Sequence, residues 1–437
     1  MCRAKESHTH TMRIGLQMTT LLNQIPRHPS TFAVVGTVGL TPDGCRIAKA
    51  FAAVIPVLLF DLSLGDAKPD EPCMNAGLLN DLPPGVEVTK DPTRLKEPGA
   101  LIICVRHPLA SGHLPDPSTL CMATQGITRQ LRPGQLLVVV GTTPPGTTRA
   151  VLLPLLTASG LTVGRDFSLA YSAESEEIGE GSTSWVVGGF DEGSTEAASA
   201  LFSLISPLVT GVSSLEAAEL CGMVGSLTRA VHTAVANEMR TVCDPMQIDV
   251  WEVLNASRPG AFPPLVPGCS SDDFALDLFS WGVRRYGASA RLIESARVVN
   301  SGTIEFVMRK LEEVLNHAGK PINGSKILIV GIANKPSMDP RGVPAFKLLD
   351  LLVKKGGVVT YEDPLYPELP WMPDWPEVSR TSVSITRQLL EGQDCVLMVT
   401  NRATRDYQYL VSHSRLIIDA CNATKNVIAN REKITRI

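Results

Sequence analysis

"TFAVVGTVGLTPDGCRIAKAFAAVIPVLLFD" (Thr31–Asp61) is the stretch on which the fold reading rests. "TFAVVG" (Thr31–Gly36) is a short apolar run with the signature of a buried strand. "TVGLTPDG" follows as a turn, then the helix-like "CRIAKAFAAV", then a second apolar run, "VLLFD", ending at Asp61. This is a β-turn-α-β unit with an acid 25 residues after Gly36. In dinucleotide-binding folds the turn glycines let the backbone approach a pyrophosphate at the helix N-terminus, and the acid takes the ribose hydroxyls. Gly36, Gly39 and Asp61 are therefore candidate cofactor-binding residues. Their spacing with Gly44 is G-x-x-G-x-x-x-x-G rather than G-x-G-x-x-G, so a plain strand-turn-helix with turn glycines fits as well.

Further apolar runs follow at "ALIICV" (Ala100–Val105), "QLLVVVG" (Gln135–Gly141) and "FSLAYS" (Phe167–Ser172), most of them separated by helical segments. Alternating strands and helices predict a doubly wound parallel sheet, with ligands at the carboxyl ends of its strands. There lie "GTTPPGTT" (Gly141–Thr148) and "YSAESEEIGEG" (Tyr171–Gly181). From Ser213 the period changes to helical. "SSLE" reads as a capping box with Ser213 reaching forward and Glu216 reaching back. Leu220, Val224, Leu227, Val231 and Val235 then recur as an apolar stripe on a helix spanning roughly 45 Å. A second α/β unit begins at "GSKILIVGIANKP" (Gly324–Pro336) and continues through "VVTYED", "CVLMVT" and "RLIIDAC". The predicted fold class is α/β, with two Rossmann-like parallel-sheet domains joined by a helical region with one long central helix. The expected boundaries are a tail over 1–30, a dinucleotide-binding domain over 31–210, a helical linker over 211–318 and a nucleotide-binding domain over 319–437.

The net charge of −4 over 437 residues gives no electrostatic case for nucleic acid or an anionic membrane. The longest apolar run, Ala48–Phe60, is too short to span a bilayer and is broken by Lys49 and Pro56. Ten cysteines without a regular framework read as reduced thiols of a cytoplasmic protein. Cys104, His107, His113 and Cys121 match no common zinc spacing, so no metal is expected.

The architecture and several stretches resemble the nucleotide-sugar dehydrogenases, the UDP-glucose, GDP-mannose and UDP-N-acetyl-mannosamine dehydrogenase family. The resemblance covers about Thr31–Cys421. Its clearest parts are "WVVGGFDEGSTEAA", "VSSLEAAEL", "TRAVHTAVANEM", "IDVWEVLNA", "FSWGVRRYGASARLIESARVVN" and "GSKILIVGIANKP". It implies NAD as cofactor, a nucleotide sugar, most simply a UDP-sugar, as substrate, and a homodimer formed through the long helix. In the family a sugar C6 alcohol is oxidised to a carboxylate in two hydride transfers, while a cysteine holds the intermediate. That chemistry needs a thiolate, donors or cations for the oxyanion, and carboxylates for protons and water.

The resemblance puts Thr142, in "GTTPPGTT", at the family threonine near the nicotinamide, and Glu174, in "SAES", at the acid/base position. Asp61 falls at the adenosine ribose. Arg341, in "MDPRGVPA", falls at an arginine that reaches the cofactor, and Lys335, in "NKP", at a lysine near the substrate. For the nucleophile two registers compete. Counting back from Trp281 without gaps places Ser271 at the family cysteine and Ala275 at its aspartate. A two-residue insertion places Cys269 and Asp273 there instead, restoring two functional residues with one shift, and is preferred. On the long helix, "EAAELCGMVGSLTRAV" sets Gly222 at the family lysine and Ser226 at the family asparagine. Two expectations follow: an NAD-dependent oxidoreductase acting on the CH-OH group of a nucleotide sugar with a degraded catalytic set, or an inactive paralogue that binds nucleotide or an active family partner.

Overall fold

The computed structural model describes residues 32–61, 81–105, 109–110, 114–176, 183–257, 267, 273–332, 344–369 and 381–437. Cys269, Lys335, Arg341, His107, His113 and the tail over 1–30 lie outside the described residues. The chain divides into two compact units, Met1–Gly225 with Asp277–Ser289, and Ser226–Leu276 with Ala290–Ile437.

The first unit is built on an eight-stranded sheet. Its strands are β1 (Val35–Val38), β2 (Val57–Phe60), β3 (Val86–Thr89), β4 (Ala100–Ile103), β7 (Leu136–Val140), β8 (Ser168–Glu176), β9 (Thr183–Gly189) and β10 (Val209–Val212). A short antiparallel pair, β5 (Leu109–Ala110) and β6 (Leu114–Pro115), stands apart from it. The order is β10-β9-β8-β7-β4-β1-β2-β3. All neighbours run parallel except β8 and β9. The order from β3 to β8 is that of the dinucleotide-binding sheet, with the switch point between β1 and β4.

Runs such as Leu136–Val140 are buried at every position because both faces of the sheet are covered. Alternation then divides the side chains between two cores. Val35, Val57, Ala100, Ile102 and Val138 pack with Ile47, Ala48 and Phe51 of α1 (Pro42–Ala52) and with Ala197, Leu201 and Phe202 of α4 (Glu192–Phe202). Leu58, Phe60, Leu101, Ile103 and Val139 pack with Leu120, Ala123 and Ile127 of α2 (Ser118–Thr128), with Leu156 of α3 (Leu153–Thr157), and with Leu215 and Ala218 of α5 (Leu215–Cys243).

Two sequence expectations change here. The first strand runs through to Val38, so Gly36 is inside it, paired to Leu58 and Leu101. A Cβ on Gly36 would lie 2.6 Å from Leu101 Cδ2 and 3.1 Å from Phe60 Cε2, so this glycine makes room for packing on the sheet face. Ser214, not Ser213, caps α5: its Oγ accepts from the Ala217 N–H at 3.1 Å, and Glu216 turns to Arg149. The buried face of α5 carries Leu215, Ala218, Glu219, Met223, Leu227, Ala230 and Ala234. Leu220, Val224 and Val235 of the expected stripe are exposed.

In the second unit, α5 continues from Ser226 and is followed by α6 (Val250–Ala256), α7 (Asp273–Arg284, whose residues from Asp277 belong to the first unit), α8 (Arg291–Ser301) and α9 (Thr303–His317). Asn237 of α5 donates to Asn300 Oδ1 at 3.0 Å, and Asn300 donates to the Ala230 carbonyl at 3.0 Å, a buried polar lock between α5 and α8. A five-stranded, wholly parallel sheet follows, comprising β11 (Lys326–Val330), β12 (Val358–Glu362), β13 (Cys395–Met398), β14 (Ile417–Asp419) and β15 (Ile434–Arg436). Its order, β12-β11-β13-β14-β15, has its own switch point between β11 and β13. α9 and α10 (Pro344–Lys354) cover one face; α11 (Arg387–Gly392) and α12 (Tyr407–His413) cover the other.

Candidate functional site

Four sequence-predicted residues of the first unit, Gly39, Asp61, Thr142 and Glu174, stand at or beyond the carboxyl ends of β1, β2, β7 and β8. Because these strands are parallel, their ends share one edge of the sheet, where such folds bind ligands.

The turn after β1 is made by Gly39, with φ +117°. Its amide donates to the Phe60 carbonyl at 3.0 Å, and a Cβ there would collide with the Cys104 carbonyl at the end of β4. Gly44, in the first turn of α1, likewise leaves no room for a Cβ over the Gly39 carbonyl. Counted from Gly39 the spacing is Gly39–Thr41–Gly44, the G-x-G-x-x-G rhythm with threonine at its middle position. Thr41 caps α1. Its Oγ1 accepts from the Gly44 N–H at 3.0 Å, and its hydroxyl donates to the Cys104 carbonyl at 3.1 Å. Counting glycines from Gly36 concealed this register.

Asp61 follows β2, 61 − 39 = 22 residues after Gly39. Its amide donates to the Thr89 carbonyl at 3.0 Å, and its carboxylate faces Lys90 Nζ at 3.5 Å. The cradle that excludes a Cβ at Gly39 and Gly44, with an acid at the end of the next strand, fits the pyrophosphate and ribose of a dinucleotide.

Thr142 opens the loop after β7, next to Gly141 at φ +140°. A buried carboxylate braces this loop. Glu219 of α5 accepts from the Thr148 N–H at 2.8 Å, from the Thr148 hydroxyl at 2.7 Å and from the Gly146 N–H. Burial pushes the Glu219 carboxyl above the ordinary glutamate range, while these donors pull it the other way. One turn earlier Glu216 takes Arg149 at 2.5 and 3.4 Å. Burial opposes ionisation of Glu216, but the Arg149 guanidinium outweighs it and lowers the carboxyl. The Tyr171 hydroxyl donates to the Gly141 carbonyl; burial, then the Glu219 charge, raise its pKa. On the loop's other side Gly282 of α7 lets Pro145 and Pro144 approach, and a Cβ on Gly282 would lie 3.4 Å from Pro144 Cβ. The sequence shows the acids of "LEAAEL", but not that they reach back about 70 residues to this loop.

Glu174, near the end of β8, is grasped by Arg46 of α1. Nη1 donates to Oε1 at 3.0 Å, and Nη2 donates to Oε2. Sequence reasoning found no basic residue here. Gly222 of α5 faces the same strand: a Cβ on it would lie 2.7 Å from Ala173 Cβ and 3.9 Å from the Tyr171 hydroxyl. Ser226 accepts from Arg229 Nη2 at 3.0 Å. Asp273 is the first residue of α7. Cys104 ends β4 as a fully buried thiol, pushed up by burial.

The UDP-glucose/GDP-mannose dehydrogenase family matches with its NAD binding domain over residues 79–204 and with its central domain over residues 216–302. A UDP-N-acetyl-D-mannosamine dehydrogenase of Campylobacter jejuni is 27% identical over 352 residues, covering 74% of this chain and 83% of that protein. An NDP-N-acetyl-D-galactosaminuronic acid dehydrogenase of Ralstonia nicotianae is 26% identical over 339 residues, covering 73% and 78%. Among solved structures, a UDP-D-ManNAc dehydrogenase from Pyrococcus horikoshii superposes with a TM-score of 0.76 at 22% identity, covering 92% of this chain and 99% of that one. The matched NAD binding domain lies on the sheet whose edge carries Gly39, Asp61 and Thr142, and the matched central domain contains α5 with Glu216 and Glu219. By the match of both its NAD binding and its central domain, the chain belongs to the UDP-glucose/GDP-mannose dehydrogenase family.

Proposed function

We propose that this chain oxidises a CH-OH group of a UDP-linked 2-acetamido sugar, with catalytic surroundings altered at Glu174. The observation that carries the reading is the Gly39–Thr41–Gly44 cradle with Asp61 after the next strand, on the sheet whose residues 79–204 match the family's NAD binding domain. The sugar class is taken from the relatives' substrates. Bound NAD supplies the hydride acceptor. The chain's own residues do the rest. Gly39 and the α1 N-terminus receive the pyrophosphate, and Asp61 takes the adenosine ribose. Thr142, fixed by the Glu219 brace, lines the nicotinamide end. Glu174 takes the proton from the reacting hydroxyl or from water.

By the family positions, the reading assigns Cys269 as the nucleophile of the second oxidation, Asp273 as a catalytic carboxylate, Lys335 as a substrate-binding residue and Arg341 as a cofactor-binding residue. A single oxidation to the aldehyde needs no thioester, so it does not depend on Cys269. The exposed apolar side chains of α5, Leu220, Val224, Val235 and Val242, support a homodimer through that helix. A Val224→Asp, Val235→Asp variant that stays the size of the wild type in light scattering would argue against it.

A second reading, a family member that binds nucleotide without turnover, is favoured by Gly222 and Ser226 at the family lysine and asparagine positions. Loss of a preorganised cation or donor typically costs about 10² to 10³ in turnover. The deciding experiment follows NADH at 340 nm with a panel of UDP-, GDP- and TDP-sugars, beside calorimetry of NAD+ binding. Turnover on a UDP-acetamido sugar supports the proposal. Bound NAD+ with no turnover on any sugar supports the second reading, and loss of both rejects the two together.

A further inference from the structure

The resemblance places on α5 a lysine that lines the oxyanion and water site, and here that position is Gly222. The geometry shows that a side chain there would be overpacked. A Cβ on Gly222 would lie 2.7 Å from Ala173 Cβ, and Ala173 belongs to a buried strand and has no rotamer to yield. The next residue along that strand is Glu174, and its carboxylate is not left to solvent. Both of its oxygens accept from one guanidinium, that of Arg46, with the Nη1–Oε1 bond at 3.0 Å. The residues are 128 positions apart in the chain. Arg46 lies two residues past Gly44 on α1, and helix side chains lean toward the N-terminus, over the first turn. Asp43 Oδ1 approaches the same guanidinium at 3.7 Å. The pair is part-exposed, with 46% of the Arg46 side chain and 29% of the Glu174 side chain accessible, so reactants can reach it.

We propose that Arg46 is the positioning residue of the Glu174 site, supplying from α1 the cation that α5 has no space to carry. A planar guanidinium gripping both oxygens fixes the plane of the carboxylate as well as its place, which a lysine point charge cannot do. The acid/base group is thereby tied to the helix that starts at the dinucleotide turn. This assignment rests on the proposed oxidation.

The test compares the full chain with Arg46→Ala, Arg46→Lys, Glu174→Gln and the double variant Arg46→Ala/Glu174→Gln. Thermal unfolding of the four corners of the cycle reports the pair without any turnover. Each single change is expected to lower the midpoint by about 1 to 3 °C, and the double change by little more than one single. Additive shifts would overturn the pairing. In the NADH assay Arg46→Ala is expected to lower kcat about tenfold or more, leave KM for NAD+ within about twofold, and be partly restored in Arg46→Lys. A coupled cycle with unchanged kcat, or a loss confined to KM, would overturn the positioning role. Wild-type protein that turns over no sugar fails the proposed oxidation first and takes the positioning role with it, while the thermal cycle still judges the ion pair by itself.

Discussion

Gly222 of α5 and Ala173 of β8 are in such close register that a methyl group on the helix would sit 2.7 Å from the methyl group on the strand. The helix is seated on the sheet through this missing side chain. Replacing Gly222 by lysine, which looks like a repair, is therefore predicted to fail. Gly222→Lys should destabilise the fold by about 1 to 3 kcal/mol through overpacking, outweighing the gain of about 1 kcal/mol expected from removing a helix-interior glycine. Differential scanning fluorimetry should show a lowered midpoint, and turnover should not rise. A stable, faster Gly222→Lys enzyme would contradict the packing.

The two glycines of the first strand and turn should separate cleanly. Gly39→Ala forces a side chain into a positive-φ position against the Cys104 carbonyl, so stability should fall by about 1 to 3 kcal/mol and NAD+ affinity should fall sharply. Gly36→Ala overpacks the sheet face against Leu101 and Phe60, and should cost similar stability while leaving the NAD+ dissociation constant nearly unchanged in whatever protein remains folded. Calorimetry on both variants decides whether the cradle begins at Gly39.

Thr41 occupies the place of the glycine that usually admits the pyrophosphate. Thr41→Gly removes the hydroxyl from the Gly44 amide and the Cys104 carbonyl. Loss of the cap should cost from a few tenths to about 1 kcal/mol. NAD+ should bind more tightly, since the backbone is then open to closer approach. Weaker binding in Thr41→Gly would mean that the threonine hydroxyl itself holds the cofactor.

Glu219 should make stability depend on pH in a direction unusual for a carboxylate. Its folded pKa is raised, so the folded state binds more protons than the unfolded chain between the ordinary glutamate pKa and the raised value. Its contribution is therefore greatest below that window and is lost as pH rises through it. In Glu219→Gln this slope should vanish. The same change turns one of the two accepting oxygens into an NH2, facing either the Gly146 amide or the Thr148 donors, so stability should drop by about 1 to 3 kcal/mol. Unfolding in urea from pH 4 to 8 measures both, and an identical slope in wild type and variant would count against the buried carboxylate as the source.

The doubly wound parallel sheet of the first unit, though not its strand order, was legible because parallel strands buried on both faces read as continuous apolar runs, as in Ala100–Ile103 and Leu136–Val140. The reversal at β9 was not, since Thr183–Gly189 carries no mark of its direction. The strand end was misplaced by two residues because "VVGTVG" offers two glycines, and Thr37 is buried like its apolar neighbours. The side of α5 that packs on the sheet was not legible either. Its buried side is lined largely by small residues such as Ala218, Ala230 and Ala234, which let it approach closely, while larger Val224 and Val235 point outward. The positions of Asp61 and Thr142 just beyond strand ends could be read from the sequence. Arg46 could not, because a pair spanning 128 residues leaves no spacing to read.

The Thr142–Thr148 loop has little freedom to act as a lid. A buried carboxylate clamps two of its amides, and Gly282 of α7 wedges its two prolines from the other side. Deuterium should enter the Gly146 and Thr148 amides slowly, on the schedule of the strands rather than of surface turns. On the proposed function, the wall at the nicotinamide end is then held in place by a carboxylate on a neighbouring helix.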